Sequence, residues 1–232
     1  MRQALIFAAG FGERMRPLTE HTPKPLLMAG GKPLIAWHLE KLAAAGVHYV
    51  VINTSHLAEQ FPEVLGDGSR WGLRIRYAYE GTQPLETGGG MLHALPLLGS
   101  EPFLVINGDV WCDVDLAGLP LEPQGLAHLL MTGNPAHHPG GDFHLDAQGR
   151  LHADGQPKLT YAGIGVFRRQ LLDGWRERVG DDGLAQPPRF KLRPLLDAAM
   201  ARGELTGSFH AGAWTDVGTP QRLAELEQSL HP

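Results

Sequence analysis

The sequence predicts an α/β fold, with a mostly parallel central sheet flanked by helices and a small antiparallel part. The first observation is that short apolar, β-branched runs alternate with segments of helical spacing in the first 132 residues. This strand–helix–strand rhythm is typical of parallel sheets, in which helices form the crossovers. The second observation is that residues 134–159 are rich in glycine, proline, aspartate and histidine, which predicts loops with short antiparallel strands.

The predicted strands are apolar runs with the length of a buried strand. The first of them is too short to span a membrane. In chain order the strands are residues 4–9, 49–53, 73–79, 103–108, 126–132 and 160–167. We also predict a hairpin around residues 147–150 and two short strands that end at Asp216.

The predicted helices carry apolar residues at three- and four-residue spacing. The first begins at Pro33, since proline suits the first turn of a helix, and ends before Gly46. In chain order the helices are residues 33–45, 56–65, 91–98, 189–204 and 220–230. We expect residues 80–90 to be irregular, because three consecutive glycines at 88–90 are costly in a regular element.

The composition predicts an ordinary globular protein. The chain has 232 residues, of which 43% are hydrophobic and 19% charged, enough for one large domain or two small ones. The net charge of −5 without a basic block argues against nucleic acid as a partner, and no apolar run is long enough for a membrane helix. Cys112 is the only cysteine, so we expect no internal disulfide, which suits the reducing cytoplasm. The sequence does not indicate an oligomeric state.

The loop from Gly10 to Pro25 follows the first strand and predicts a polyphosphate site. It holds two glycines, three prolines and the cations Arg14, Arg16 and Lys24. Glycines let backbone N–H groups approach phosphate oxygens, and the cations balance their charge. The alternative is a simple tight turn, but a turn does not require cations and prolines at fixed offsets. The loop lacks the Gly-Lys-Ser/Thr ending of a P-loop and the third glycine of a dinucleotide fold.

The segment AAGFGERMRPLTEHTPKPL, residues 8–26, resembles the N-terminal signature of the sugar-1-phosphate nucleotidylyltransferases. The resemblance implies a Rossmann-like sheet, the nucleotide-diphospho-sugar transferase fold, and a nucleoside triphosphate held by this loop. It also implies that Arg14 contacts the departing pyrophosphate and that Lys24 lies near the reacting phosphates, as the catalytic cations. The loop residues that would bind the nucleotide are Ala9, Gly10, Gly12, Glu13, Arg14 and Lys24.

Asp109 and Asp216 are the candidate metal ligands. Asp109 follows the fourth strand, and ligands of open α/β sheets bind beyond the carboxyl ends of the strands. Two carboxylates from distant parts of the chain could hold one Mg²⁺, although each aspartate alone could simply cap a turn. The segments NGDVWCD and AWTDVGTP resemble the two metal-ligand motifs of the family, which favours Mg²⁺.

The segment EGTQPLETGGG, residues 80–90, is expected to face the nucleobase, since glycines let a flat ring lie against the backbone. In the family this region recognises the base through a glutamine and a Gly-Thr pair. Here Glu80 stands where the glutamine is expected, and Glu86-Thr87 replaces Gly-Thr. We therefore expect Glu80, Thr87 and Gly88 at the nucleotide; the alternative is a flexible glycine linker before a helix.

The second half of the chain is expected to present the sugar phosphate. We predict a single domain, residues 1–232, with a nucleotide-binding half at 1–132 and a sugar-phosphate half at 133–232, because no flexible linker separates them. Similarity of position to the family implies sugar contacts from Asn107, Asp142 and Gly163.

The cation that holds the sugar phosphate is left open. The family's Glu-Lys-Pro segment is absent here, and Lys158 resembles a later position of the family pattern, so Lys191, or Lys24 with the metal, could hold this phosphate. A zinc site among the second-half histidines is not expected, because their spacing matches no zinc motif. These histidines are His137, His138, His144 and His152.

Five segments narrow the resemblance: PLETGGG, NGDVW, NPAHHPGGDF, FKLRPLL and WTDVGT. They resemble the branch of the family that transfers UMP from UTP to N-acetylmuramate-1-phosphate in bacterial cell-wall recycling. Two other enzyme hypotheses are a mannose-1-phosphate guanylyltransferase and a glucose-1-phosphate uridylyl- or thymidylyltransferase. A catalytically silent nucleotide-sugar sensor on the same fold is the hypothesis from another class.

Overall fold

The structure is a computed structural model that describes residues 2–180 and 185–230. The strands are β1 (Gln3–Phe7), β2 (Met28–Ala29), β3 (Lys32–Pro33), β4 (Tyr49–Thr54), β5 (Arg74–Tyr79), β6 (Phe103–Asn107), β7 (Val110–Cys112), β8 (Ala127–Thr132), β9 (Phe143–Leu145), β10 (Leu151–His152), β11 (Lys158–Phe167), β12 (Leu205–His210) and β13 (Trp214–Asp216). The helices are α1 (Leu34–Ala44), α2 (Gln60–Leu65), α3 (Glu86–Ala94), α4 (Trp175–Val179), α5 (Arg193–Ala201) and α6 (Pro220–Leu230).

The central sheet has the order β12-β8-β11-β6-β1-β4-β5. All of these strands run parallel except β11, which is antiparallel to both β6 and β8. The predicted mostly parallel α/β fold is therefore confirmed. The short strands β9 and β10 form the predicted hairpin and extend from the beginning of β11.

The apolar alternation of the central strands explains why both faces of the sheet are covered. In β1, Ile6 joins a cluster with residues of α1 and α2, such as Leu39 and Phe61. The preceding residue, Leu5, points to the other face of the sheet and joins a second cluster with residues of α3 and α5, such as Met91. Successive strand residues point to opposite faces, so a strand that is apolar throughout must be buried on both sides.

The structure corrects the prediction that the glycines at 88–90 lie outside regular structure. They belong to α3. Glycine is required there because α3 packs closely against another segment, and not because the backbone turns. A Cβ on Gly88 would lie 2.5 Å from the ring of Phe190, and one on Gly89 would lie 2.4 Å from the carbonyl oxygen of Pro188. The backbone of α3 thus touches the 188–190 segment directly, which offsets the low helix propensity of glycine.

Three other predicted helices are shorter in the structure. The predicted helix 56–65 begins only at Gln60, because Leu57 has a positive φ of 49° that helical residues do not adopt. The helix predicted at 189–204 covers Arg193–Ala201. The stretch predicted as helix 91–98 is the end of α3 followed by a 3₁₀ turn.

Strands from both predicted halves of the chain pair in this one sheet. The strand β8 ends the predicted nucleotide half, and it lies between β11 and β12 of the other half. The boundary at residue 132 is thus not a break in the sheet, and the division into two functional halves stays a prediction. No helix among the described residues has both the length and the apolar character needed to cross a bilayer.

Candidate active site

A cleft of about 810 Å³ opens at the carboxyl ends of β1, β4 and β6. One wall is formed by residues 7–15 with Lys24 and Pro25, and another by residues between Glu80 and Thr87. Asn107, Asp109 and Gly218 lie at the end of the cleft where the two halves of the chain meet. Ligands of α/β sheets bind at this edge, so the fold itself places the candidate site here.

The first loop is folded against itself in three short 3₁₀ turns. Gly12 has a positive φ of 66°, and a Cβ there would lie 2.8 Å from Thr19, whose hydroxyl donates to the carbonyl of Gly12. A Cβ on Gly10 would meet nothing within 4 Å, so its backbone faces open space in the cleft. The predicted loop residues that line the cleft are Ala9, Gly10, Gly12, Glu13, Arg14 and Lys24.

The two predicted cations differ in their surroundings. Lys24 is buried, and its Nζ lies 2.5 Å from Oδ2 of Asp109. Arg14 is exposed at the cleft. Lys24 is therefore held by a partly buried ion pair, whereas the exposed Arg14 can move to meet an anion that enters.

Asp109 and Asp216 come together through a small two-stranded sheet. The strand β7, directly after Asp109, pairs antiparallel with β13, so that Asp216 lies opposite Val110. The backbone N–H of Val217 also donates to the carbonyl oxygen of Asp109 at 2.8 Å. Backbone pairing therefore places the segment of Asp216 beside that of Asp109, the two residues predicted as metal ligands.

The helix α1 holds β7 in place from below. His38 is buried, and its Nε2 lies 2.8 Å from the carbonyl oxygen of Val110. Burial lowers the pKa of His38 to about 4, so the ring is neutral and Nε2–H donates this bond at neutral pH. Lys41 donates to the carbonyl oxygens of Cys112 and Val114, and burial lowers the pKa of its ammonium group.

Two side chains at Asp216 were not predicted from the sequence. Nη1 of Arg222 lies 2.5 Å from Oδ1 of Asp216, and Nε2 of His137 lies 2.8 Å from the same oxygen. Arg222 belongs to the first turn of α6, and His137 to the loop after β8, 85 residues earlier. Only the fold brings them together, so no pattern in the sequence could have indicated the contact.

Glu80 has partners within the protein that the sequence did not indicate. Its carboxylate is buried at the cleft wall and accepts two hydrogen bonds, from Nδ2 of Asn53 at 2.6 Å and from the N–H of Leu85 at 2.7 Å. Oδ1 of Asn53 in turn accepts from the N–H of Ala8. Burial raises the pKa of the Glu80 carboxyl, and the two hydrogen bonds offset part of the rise. Glu80 lines the cleft and, through Asn53, connects the 80–87 wall to the first loop; its contact with a base stays a prediction.

Gly88, expected at the nucleobase, is also placed differently. Its N–H donates to the carbonyl oxygen of Phe190, as does that of Gly89, so these amides are used inside the protein. Phe190 itself stacks on Trp175 with ring centroids 4.8 Å apart. Thr87 lines the cleft, and its hydroxyl accepts a hydrogen bond from the N–H of Leu192.

Three further residues line this end of the cleft: Gln83, Glu86 and Arg189. Arg189 lies 3.5 Å from Glu86 in an exposed ion pair. The sequence placed Arg189 at the start of a predicted helix, and nothing in it indicated a contact with α3.

The residues predicted for the sugar are brought together only in part. Asn107 lines the cleft, and Gly163 of β11 packs against it, since a Cβ there would lie 2.7 Å from Nδ2 of Asn107. Gly163 has a positive φ of 73° and lies where the register between β11 and β8 shifts. Asp142 instead accepts a bond from the N–H of Tyr161 and contacts His138, so it fastens its loop to β11.

The histidines of the second half have separate partners. His138 contacts Asp142, His144 contacts the carbonyl of Pro157, and His152 contacts Asp146. Among the described residues, the group of three potential ligands closest to metal geometry lies elsewhere, at Cys112, Asp113 and His210. The histidine loop itself therefore offers no shared site within the described ranges.

Fold and cleft together define the class: an α/β protein whose cleft, at the ends of its parallel strands, carries both cations and carboxylates. Residues 3–119 match the nucleotidyl transferase family model. The chain therefore belongs to the nucleotidyl transferase family, as its first loop suggested.

Comparison with known proteins refines this result. The chain is 45% identical to N-acetylmuramate alpha-1-phosphate uridylyltransferase of Neisseria meningitidis, over 97% of this chain and 96% of that protein. It is 35% identical to the Caulobacter vibrioides protein of the same name, over 98% and 96% of the two chains. A crystal structure described as glucose-1-phosphate thymidylyltransferase from Bacillus anthracis has the same fold, with a TM-score of 0.83, 20% identity and coverage of 99% and 95%.

Proposed function

We propose that this chain transfers UMP from UTP to N-acetylmuramate-1-phosphate, which gives UDP-N-acetylmuramate and pyrophosphate for peptidoglycan recycling. The observation that carries the proposal is 45% identity to a protein of that name along nearly the whole of both chains. An internal disulfide is not possible with the single Cys112, which agrees with work in the reducing cytoplasm.

The first loop would hold the triphosphate. The backbone at Gly10 is open to the cleft, and Arg14 is free to turn towards phosphate oxygens. We assign to Arg14 the charge of the departing pyrophosphate and to Lys24 the charge at the reacting phosphates. Both act by electrostatic stabilisation, since phosphoryl transfer needs positioning and neutralisation more than a covalent intermediate.

Members of this family generally use a divalent metal ion, and we propose Mg²⁺ held by Asp109 and Asp216. The residues fit such an ion, because two carboxylates on adjacent backbone segments offer the hard oxygen ligands that Mg²⁺ prefers. When bound, Mg²⁺ supplies charge neutralisation at the phosphates. Water and phosphate oxygens would complete its coordination.

In the reaction, an oxygen of the sugar phosphate attacks the α-phosphorus of UTP. The bond from that phosphorus to the bridging oxygen breaks, and the electron pair leaves with pyrophosphate. Both reactants are anions, so the cleft must screen their repulsion and align them. Asn107 would orient the acceptor from the end of β6, and Gly163 leaves the space in which the Asn107 side chain rests.

The wall from Glu80 to Thr87 would face the uracil. Glu80 shapes this wall through its hydrogen bonds with Asn53 and Leu85. Gly88 contributes indirectly, because its N–H donates to the carbonyl oxygen of Phe190 and so fixes the start of α3. Direct contacts to the base would then come from Gln83, whose amide has both a donor and an acceptor for a pyrimidine edge.

The test is a cross-panel of nucleotides and acceptors, with pyrophosphate release as the readout. UTP, GTP and dTTP are each combined with the 1-phosphates of N-acetylmuramate, N-acetylglucosamine, glucose and mannose. N-acetylglucosamine-1-phosphate is the matched control, because it lacks only the lactyl ether. We expect the highest kcat/KM for UTP with N-acetylmuramate-1-phosphate.

Two results would contradict the proposal. Preference for GTP and mannose-1-phosphate, or for glucose-1-phosphate with UTP or dTTP, would assign the chain to another branch of the family. Binding of UDP-sugars without pyrophosphate release from any pair would favour the non-catalytic sensor.

A further inference from the structure

Each of the two carboxylates proposed for the metal is paired with a cation. Lys24 lies 2.5 Å from Asp109, and Arg222 lies 2.5 Å from Asp216. Lys24 already has a role in the proposed reaction, whereas Arg222 has none. A nearly buried guanidinium, with a side chain that is 14% exposed, calls for an explanation of its own.

Arg222 lies directly behind the wall of the cleft. A Cβ on Gly218 would lie 2.2 Å from Nη2 of Arg222, and Gly218 lines the cleft. On its other side Nη1 contacts His137, in the loop of the predicted sugar-phosphate half. The guanidinium thus lies between the metal carboxylate, the cleft wall and the loop that would receive the sugar.

The described cation that lines the cleft at the acceptor end is Lys24, and it is already paired with Asp109. Arg14 and Lys24 belong to the triphosphate loop, and Arg189 is paired with Glu86 at the base end. Lys191 is exposed beside Phe190, and Lys158 pairs with His144 at the hairpin, so neither lies at the cleft. Arg222 is a further cation, and Gly218 separates it from the acceptor end of the cleft.

The chemistry of arginine suits this position. In the described part of the chain, the side chain of Arg222 has two polar partners, Asp216 and His137, and contacts both through Nη1. Nε and Nη2 remain as donors, and a guanidinium can bind two phosphate oxygens side by side. The missing Cβ of Gly218 leaves Nη2 only a backbone's thickness from the cleft.

We propose that Arg222 binds the phosphate of the sugar 1-phosphate and that it competes with the metal ion for Asp216. The first part rests on the proposed function, while the second does not. Metal binding at Asp216 would weaken the hold of the carboxylate on Arg222 and so release the guanidinium towards the acceptor. Coupling of this kind is reciprocal, so removal of Arg222 must favour the metal.

The two parts predict effects of opposite sign for Arg222→Gln. Without substrates, Mn²⁺ used as the metal probe should bind the variant about fivefold more tightly, because a partly buried competing cation is gone. Free Mn²⁺ is measured by electron paramagnetic resonance. In the enzyme assay the KM for the sugar 1-phosphate should rise about tenfold or more, while the KM for UTP stays within about twofold.

A matched control and a conservative variant complete the design. Arg202→Gln removes a guanidinium from an exposed ion pair with Glu204, and it should leave both measurements unchanged. Arg222→Lys keeps the charge and should restore most of the acceptor KM. Thermal unfolding of each variant shows that the fold is intact, and Arg222→Lys tests the proposal if Arg222→Gln does not fold.

The outcomes separate the proposal from the proposed function. Mn²⁺ affinity that is unchanged or weaker in Arg222→Gln overturns the competition, since a merely structural role would loosen Asp216 and weaken the metal. An unchanged acceptor KM overturns the phosphate-binding role. If the wild-type protein uses another sugar 1-phosphate, the proposed function fails, but the role of Arg222 can still be tested. The KM is then measured with that sugar 1-phosphate, and the Mn²⁺ binding measurement requires no substrate.

Discussion

Replacement of His38 by glutamine tests whether this buried, neutral histidine makes the fold sensitive to acid. Burial is the main cause that lowers the pKa of His38 to about 4. The charge of Lys41 also lowers this pKa, whereas the hydrogen bond to Val110 and the charge of Asp109 raise it. The unfolded chain binds a proton near pH 6.5, so it holds more protons than the native state between the two values. The contribution of the neutral His38 to the free energy of unfolding is therefore fully present above about pH 6.5, and it is lost as the pH falls towards 4.

The magnitude follows from the pKa difference. One unit corresponds to about 1.4 kcal/mol, so the full interval is worth about 3 kcal/mol. About 2 kcal/mol of this should be lost between pH 7 and pH 5. Glutamine does not titrate, and its amide can donate to Val110, so the variant should lack this pH-dependent loss. Other ionisable groups are common to both proteins and cancel in the difference.

The assay is urea unfolding followed by tryptophan fluorescence at several pH values from 7 to 4.5. At pH 7 wild type should be more stable than His38→Gln, and the difference in unfolding free energy should shrink by about 2 kcal/mol at pH 5. His21→Gln, at an exposed position, is the control, and its pH profile should be steeper than that of His38→Gln. A difference between wild type and His38→Gln that stays constant with pH would refute the reasoning.

Two further predictions concern the cleft. Gly90→Ala should destabilise the protein by about 1–3 kcal/mol and weaken UTP binding. The reason is that the new Cβ would lie 2.5 Å from Oε1 of Glu80 and 2.7 Å from Nδ2 of Asn53. Urea unfolding measures the loss of stability, and calorimetric titration measures UTP binding. Asp109→Asn and Asp216→Asn should each lower metal-dependent kcat/KM by about 100-fold or more while the fold persists, as measured by pyrophosphate release and circular dichroism.

Matched variants are present in the chain for both predictions. Gly118→Ala adds a Cβ that meets nothing within 4 Å, and it should be nearly neutral. Asp197→Asn removes a carboxylate from an exposed pair with Arg193 and should leave activity unchanged. Near-normal turnover in Asp109→Asn or Asp216→Asn would remove that residue from the proposed metal site, and a Gly90→Ala protein as stable as Gly118→Ala would refute the packing argument.

The sheet was predictable because its strands are marked by local signals. The residues of β1, β4 and β6 are apolar at successive positions, and that pattern has few explanations besides a strand buried on both faces. The start of α1 was predictable as well, since Pro33 and Gly46 are end signals that act on their own backbone. Such features need no knowledge of distant residues.

The glycines of α3 show why other features were not predictable. Local propensity argues against a helix at 88–90, and it is overridden by contacts with Phe190 and Pro188, about a hundred residues later. The partners of Asp216 pose the same problem. Arg222 and His137 carry no local mark that would connect them to a metal ligand, so the sequence indicated the carboxylate without indicating what holds it.

The pairing of β7 with β13 brings together the two segments that carry Asp109 and Asp216. The bonds that join them are backbone bonds, including that from Val217 to Asp109, so the register places the two segments side by side. A shift of one residue in either strand would turn Asp216 to the opposite face. Moreover, the family match ends at residue 119, while Asp216 lies beyond it. The matched segment carries the loop proposed for the triphosphate and one proposed metal ligand, Asp109. The position of Asp216, and of the cation proposed for the acceptor, depends on the pairing of β13 with β7.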